Sequence, residues 1–498
     1  MSLTQFIDVR EIIFNDDEGP PSLAGEEPPA AEGLDPEAPE PESPQPESPE
    51  PESPEPVSPE PGPPSPSTPG PAPLFSGAPV SGPQKARLPE PRPLEPVAAG
   101  ERYELIDVLR GFALSGVLLA NLMSNILRSA SRQSLAELPA PAFEMAVLRS
   151  YRFLVSGKFL FLFALLFGLG LAIQMERARA RGVDVAPTYL RRLGILFVLG
   201  LAHAFLLWSG DILHIYALAG LALLALRSRS DRLLVAGGTF LLTVSAWVIR
   251  CWPAVLAWIG VQFPPAGAPS RSARIAERIS TLSQGGYTEV VLDNLAFLTR
   301  PMNPFLTLDH CVYSLGIFLL GFVLGRRRIL QEAARHRLFF RRLLFWGLGL
   351  GLPLSLATAF ARDVGQDSPW YFLIRLPIPF GTAALAGAYL AAVALLYQHH
   401  RGYHLLRPLA PVGRMALTHY LTHSVAYVLI FSGVGFGLVG KLGPSAVLPL
   451  TLLILGTQIA VSPLWLRRFR FGPAEWVWRS LTYGRRPSFA ARVPAVEA

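Results

Sequence analysis

Ten apolar runs, each close to the length a helix needs to cross a bilayer, alternate with short loops rich in arginine. They lie at 105–127, 153–175, 193–209, 211–226, 233–252, 308–325, 343–360, 376–397, 415–439 and 446–466. Crossing the ~30 Å hydrocarbon layer takes about 20 mostly apolar residues, and within it every backbone polar group must be satisfied by a helix or a closed barrel. The runs lack period-two alternation, so they read as helices and not as barrel strands. Only Trp208-Ser209-Gly210-Asp211 separates the third run from the fourth, a tight polar turn. The predicted fold class is an all-α polytopic membrane protein with about ten transmembrane helices.

Arginine placement orients the runs. Loops after the second, fourth, sixth and eighth runs, with the segment beyond Leu466, carry 25 arginines, whereas the longer alternate loops carry 11 basic residues. Lysine and arginine are retained on the cytoplasmic side, so both the N-terminus and the C-terminus are placed in the cytoplasm. Basic residues confined to loops between apolar runs point to a membrane surface. No groove-like interleaving of basic and aromatic residues suggests nucleic acid as a partner.

Residues 1–100 are of another kind, with 4 basic and 19 acidic side chains. Residues 36–66 are near-perfect Pro-Glu-Ser repeats. Proline removes amide donors and clustered glutamates repel, so this tract is expected to be a disordered cytoplasmic tail or spacer, its partner unidentified. Met1 to Glu18 has neither a basic start nor an apolar stretch, which does not suit a signal peptide. The expected order is this tail, an N-terminal transmembrane half at 101–259, and an external loop at 260–306 with an amphipathic helix around Arg271 to Leu282. A C-terminal transmembrane half follows at 307–484, ending in an interfacial helix at Gly472 to Arg479, and a flexible tail closes the chain at 485–498. Cys251 and Cys311 are the only cysteines, too few for a disulfide framework.

Ionisable groups within apolar runs are costly and mark candidate sites. Asp107 and Arg110, spaced i,i+3, can pair on one helix face. Asn121 follows Arg110 on nearly the same face, about 16 Å farther along. The three could line a polar path, or form an interfacial ion pair plus an interhelical amide contact. Lys158 opens the second run, where it can snorkel to the interface. His203, Trp208, Asp211, His214 and Tyr216 crowd the turn between the third and fourth runs. Asp211 can orient His214 at i,i+3, as a general base needs, or both can belong to a satisfied core network. Arg414, His419 and His423 form a further group, but HxxxH without the glutamate of HExxH is a poor metal motif, and no metal site is expected. The Gly435 to Gly440 run fits G-x-G-x-x-G without a βαβ context and reads as helix-packing glycine.

Several segments carry a resemblance. Leu109-Arg110-Gly111-Phe112-Ala113, the run from Lys158 to Gly168, Gly210-Asp211-Ile212-Leu213, Val412-Gly413-Arg414-Met415-Ala416-Leu417-Thr418 and Phe471-Gly472-Pro473-Ala474-Glu475-Trp476 resemble the YeiB-like bacterial inner-membrane proteins, in order and spacing, over about 101–484. The C-terminal half of that family is a domain of unknown function. Its N-terminal half is similar to transmembrane acyltransferases, including the lysosomal heparan-glucosaminide acetyltransferase. The O-acetylating branch has a histidine eleven residues after its arginine, where this chain has Asn121 as in the heparan-type branch. The resemblance implies a multi-pass bacterial inner-membrane protein that uses cytoplasmic acyl-CoA as co-substrate, with no permanently bound cofactor, and an extracytoplasmic glycan or lipid acceptor. In that scheme Arg110 binds the phosphate side of the donor, Asn121 polarises the thioester, and His214 with Asp211 acts as base. Asp107, Lys158, His203, Arg414 and His419 line the substrate path. A transporter or flippase with a polar translocation path is the alternative, and a non-catalytic scaffold the third.

Overall fold

The computed structural model describes residues 103–129, 140–258, 270–300, 303–361 and 377–490. The acidic proline tail and the last eight residues of the chain lie outside them. Sixteen α-helices follow: α1 (Glu104–Arg128), α2 (Pro141–Leu154), α3 (Lys158–Ala180), α4 (Ala186–Leu206), α5 (Leu213–Leu226), α6 (Asp231–Trp258), α7 (Arg271–Gln284) and α8 (Tyr287–Leu298). The second set is α9 (Asn303–Arg326), α10 (Arg337–Ala361), α11 (Ile378–Tyr397), α12 (His400–Leu406), α13 (Leu409–Arg414), α14 (Ala416–Phe431), α15 (Val447–Arg468) and α16 (Pro473–Tyr483). Among the described residues the only β-pairing is an isolated bridge between Phe469 and Ala490.

Seven of these helical units are long and apolar enough to cross a membrane, α2 and α3 counting as one. The shorter apolar α5 and α14, together with the 28-residue α6, stand at the other three of the ten expected runs. The chain is an all-helical polytopic membrane protein.

Burial ranks the spans from centre to rim. The apolar window of α1 is 78% buried, whereas those of α10 and α15 are 22% buried. A helix enclosed on nearly every side is rich in small residues, and α1 has Gly111, Ala113, Gly116 and Ala120. Gly111 lies on the Leu409 carbonyl and Gly413 on the Asp107 carbonyl, so α1 and α13 cross backbone to backbone where a Cβ would collide. The exposed Phe345, Trp346 and Leu350 of α10 and Leu452 and Leu453 of α15 face outward as lipid-side residues do.

The ends sort as the charge alternation requires. Arg227 pairs with Asp184, Arg326 and Arg327 with Asp231, and Arg328 with Glu176, so three basic loops meet at one end. At the other end the Tyr287 hydroxyl donates to the Leu206 carbonyl, Arg278 to Ser129 Oγ, and the Gly433 amide to the Leu282 carbonyl.

Several sequence expectations need correction. The second span is kinked, not a uniform run from 153: α2 and α3 join through Gly157, whose φ of 82° suits glycine. Lys158, at that kink, does not snorkel; it is 1% exposed and its Nζ donates to the Arg152 carbonyl. The ninth span ends at Phe431, and the Gly435 to Gly440 run is not helical. Gly437 and Gly440 have positive φ, and the segment folds back so that Leu438 and Val439 donate to the Ile430 and Phe431 carbonyls. The external segment holds two helices, α7 and α8, where one was expected. Cys311 is a free thiol, and the Cys251 side chain lies outside the described residues.

Candidate functional site

A cavity of about 250 Å³ lies at the arginine-rich end of the bundle, walled by α1, α3, α4, α5, α13, α14 and α16. Arg110, Arg177, Arg192, Arg414 and Arg479 line it, against the carboxylates Asp107 and Glu475. Its apolar wall includes Phe163, Phe167, Tyr216, Tyr420 and Trp478. The close α1–α13 crossing at Gly111 and Gly413 brings Arg110 and Arg414 to this one space.

The charges are unevenly matched. Arg110 Nη1 lies 2.8 Å from Asp107 Oδ1, so that pair is locally neutral. Glu475 is committed elsewhere: it accepts from the Leu417 amide at 2.7 Å, the Thr418 amide at 3.1 Å and the Thr418 hydroxyl. Its carboxylate thereby caps the N-terminus of α14 from a different helix, satisfying amides that lack an intrahelical partner. Burial nevertheless lifts the Glu475 carboxyl above the ordinary carboxylate range, outweighing those hydrogen bonds. Arg192 stacks on Trp478 at 4.2 Å and Arg479 on Phe471 at 4.8 Å. Cation–π contact holds a guanidinium plane without using its N–H donors.

Behind the floor of the cavity lies a buried cluster. Asp211 is 1% exposed and each of its oxygens meets two donors. Oδ1 lies 2.9 Å from His203 Nδ1 and accepts from the Tyr420 hydroxyl at 3.2 Å. Oδ2 lies 2.8 Å from His214 Nδ1 and accepts from the His214 amide at 3.0 Å. An ionised carboxylate only accepts, so both Nδ1 atoms carry their protons and both Nε2 atoms are left as acceptors. His203 Nε2 meets Ser424 Oγ at 2.8 Å. His214 Nε2 has no hydrogen bond among the described residues, and its side chain is 11% exposed against 1% for His203. It is therefore the ring nitrogen of this cluster open to take a proton. The cluster joins the cavity through Tyr420, which lines it and donates to Asp211; Leu213, the neighbour of His214, lines it too, whereas His214 itself does not.

The structure thus gathers Asp107, Arg110 and Arg414 at the cavity and His203, Asp211 and His214 behind it. It does not bring in the other three candidates. Asn121 is buried farther along α1, where its carbonyl accepts from Asn125 Nδ2. Lys158 sits at the α2–α3 kink. His419 faces α15, its Nε2 at 2.7 Å from Ser462 Oγ, and His423 does the same toward Gln458, so both are packing contacts between spans. Sequence reasoning counted Arg192 and Arg479 only as orientation signals and passed over Tyr420. Being i,i+4 from Arg479 and i,i+3 from Trp478, Glu475 could have flagged one face of α16.

Residues 324–485 match a family model described as "Protein of unknown function (DUF418)". The chain is 31% identical over 406 residues to the uncharacterised protein YxaH of Bacillus subtilis, covering 78% of this chain and 96% of that one. It is 30% identical over 390 residues to the uncharacterised protein YeiB of Escherichia coli, covering 77% and 96%. An uncharacterised 39.9 kDa protein of Bacillus acidopullulyticus is 28% identical over 411 residues, covering 79% and 97%. No solved structure matches the chain. Two relatives at 30% identity or more are matched over more than three quarters of the chain, so the chain belongs to the YeiB-like, DUF418 family of bacterial proteins.

Proposed function

We propose that the protein is an inner-membrane transferase that takes an acyl group from an anionic cytoplasmic donor such as acyl-CoA and passes it to a hydroxyl of an extracytoplasmic glycan or lipid. The observation that carries the reading is the arginine-lined cavity at the basic end, whose wall residue Tyr420 donates a hydrogen bond to Asp211 of the His203–Asp211–His214 cluster. An anionic donor enters from the side where the arginines are, and the proton-handling group lies farther into the bilayer. The acceptor hydroxyl oxygen attacks the thioester carbonyl carbon while its proton passes to His214 Nε2. The tetrahedral oxyanion collapses with cleavage of the C–S bond, and the leaving thiolate takes the proton from His214, giving the ester and free coenzyme A. Asp211 holds the Nδ1 proton in place and stabilises the imidazolium. Asn121 lies away from the cavity, so oxyanion stabilisation falls to the arginines within it.

One observation favours a second reading, a translocation path. The helix α5 is about 21 Å long and α14, which begins just after α13 ends at Arg414, about 24 Å, both short of the ~30 Å layer. Interrupted helices beside buried polar groups are features that transporters use. Calorimetry of the protein in nanodiscs with acetyl-CoA tests the first reading. Saturable binding, followed by release of free thiol when a glycan acceptor is added, supports transfer. Absence of binding heat removes the donor site, and binding without thiol release leaves translocation.

A further inference from the structure

Five arginines share one small cavity, yet the one most prominent in the sequence, Arg110, is already neutralised by Asp107. The uncompensated charge sits elsewhere. Among the described residues Arg192 of α4 and Arg479 of α16 form no ion pair with a carboxylate, and the buried Nε–H of each finds no acceptor. Glu475, one turn before Arg479, is held by the α14 amides and does not close on it. Aromatic stacking fixes both guanidinium planes while leaving the donors free. Burial pushes the Arg479 guanidinium below its ordinary value, and Tyr483 and Glu475 nearby offset this only in part. Like charges kept this close, with donors directed at no protein acceptor, call for an anion with several acceptor oxygens. A phosphate or diphosphate matches planar, forked donors better than a single carboxylate does.

We propose that Arg192 and Arg479 form a phosphate-binding clamp in the cavity, completed by the C-terminal helix α16, for a phosphate monoester or diphosphate group. The inference rests on reading the cavity as an anionic-ligand site and names the residues and chemistry of that recognition. It moves the anchoring role from Arg110 to two arginines 287 positions apart in sequence. Arg110 with Asp107 then shapes the wall. The phosphate can belong to a soluble donor or to an anionic lipid headgroup, and the experiment separates the two.

Arginine-selective labelling by phenylglyoxal, read by peptide mass spectrometry on the unmodified full chain in phosphatidylcholine nanodiscs, needs no variant. Inorganic pyrophosphate should protect Arg192 and Arg479 while the exposed Arg335 labels equally with or without it. If protection arises only when phosphatidic acid, whose headgroup is a phosphate monoester, replaces part of the phosphatidylcholine, the clamp holds a lipid headgroup. Protection of neither arginine by either source overturns the clamp. Arg192→Ala and Arg479→Ala should each weaken pyrophosphate binding by about tenfold or more, the loss expected for one charged hydrogen-bonding partner. Arg192→Lys should recover only part of it, because an ammonium lacks the fork. Acetyl-CoA binding with both arginines still labelled discards the clamp and keeps the donor site. Pyrophosphate protection without acetyl-CoA binding keeps the clamp and discards acyl transfer.

Discussion

Replacing Asp211 distinguishes the two things its carboxylate does. In Asp211→Ala four donors lose their acceptor: His203 Nδ1, the Tyr420 hydroxyl, the His214 amide and His214 Nδ1. His203 can change tautomer against Ser424, and the tyrosine hydroxyl can turn. The His214 backbone amide can do neither, and His214 Nδ1 loses the partner that ordered its ring. At about 1–3 kcal/mol for each stranded buried donor, the substitution should cost roughly 2–6 kcal/mol. Asp211→Asn keeps an oxygen for the two His214 donors and turns its amide toward His203, whose Nδ1 accepts after a tautomer change. That arrangement should cost only about 1–2 kcal/mol. Thermal unfolding in detergent, followed by tryptophan fluorescence, should therefore rank unmodified protein above Asp211→Asn and both well above Asp211→Ala. Thiol release from acetyl-CoA should fall in both variants, since the imidazolium loses its counter-charge. Equal stability of Asp211→Ala and unmodified protein would refute the buried four-donor cluster.

Three further outcomes are expected. Glu475 has a folded pKa raised by burial, so its contribution to stability is full below the ordinary carboxylate value of about 4.3 and is lost as pH rises through the folded value. Glu475→Gln, which cannot ionise, should then trail the unmodified protein most near pH 4 and least near pH 8; a gap that widens with pH would contradict this sign. Gly413→Ala should cost about 1–3 kcal/mol by forcing α13 off α1, whereas Gly349→Ala, with open space around it, should be neutral or gain up to about 1 kcal/mol; equal melting shifts would argue against the close crossing. Single cysteines at Ala180 and Gly285 should react with impermeant reagents from opposite sides of the membrane, and labelling of both from one side would dismantle the orientation.

The helical class, the ten spans and their alternating orientation were legible in the chain itself. They follow from forces that act locally: the length of apolar runs against the thickness of a bilayer, and the retention of arginine on one side. The Asp211–His214 contact was legible for the same reason, being one turn of a single helix start. What joined it was not. His203 comes from α4, Tyr420 and Ser424 from α14, and their meeting with Asp211 depends on how three spans pack. His419 looked like a site residue because an imidazole in an apolar run is costly, but only packing revealed that Ser462 offsets that cost. Arg192 and Arg479 carried a topology signal in the sequence. Their lack of carboxylate partners is a property of the cavity, because whether a charge is compensated depends on neighbours that the chain brings together only when it folds.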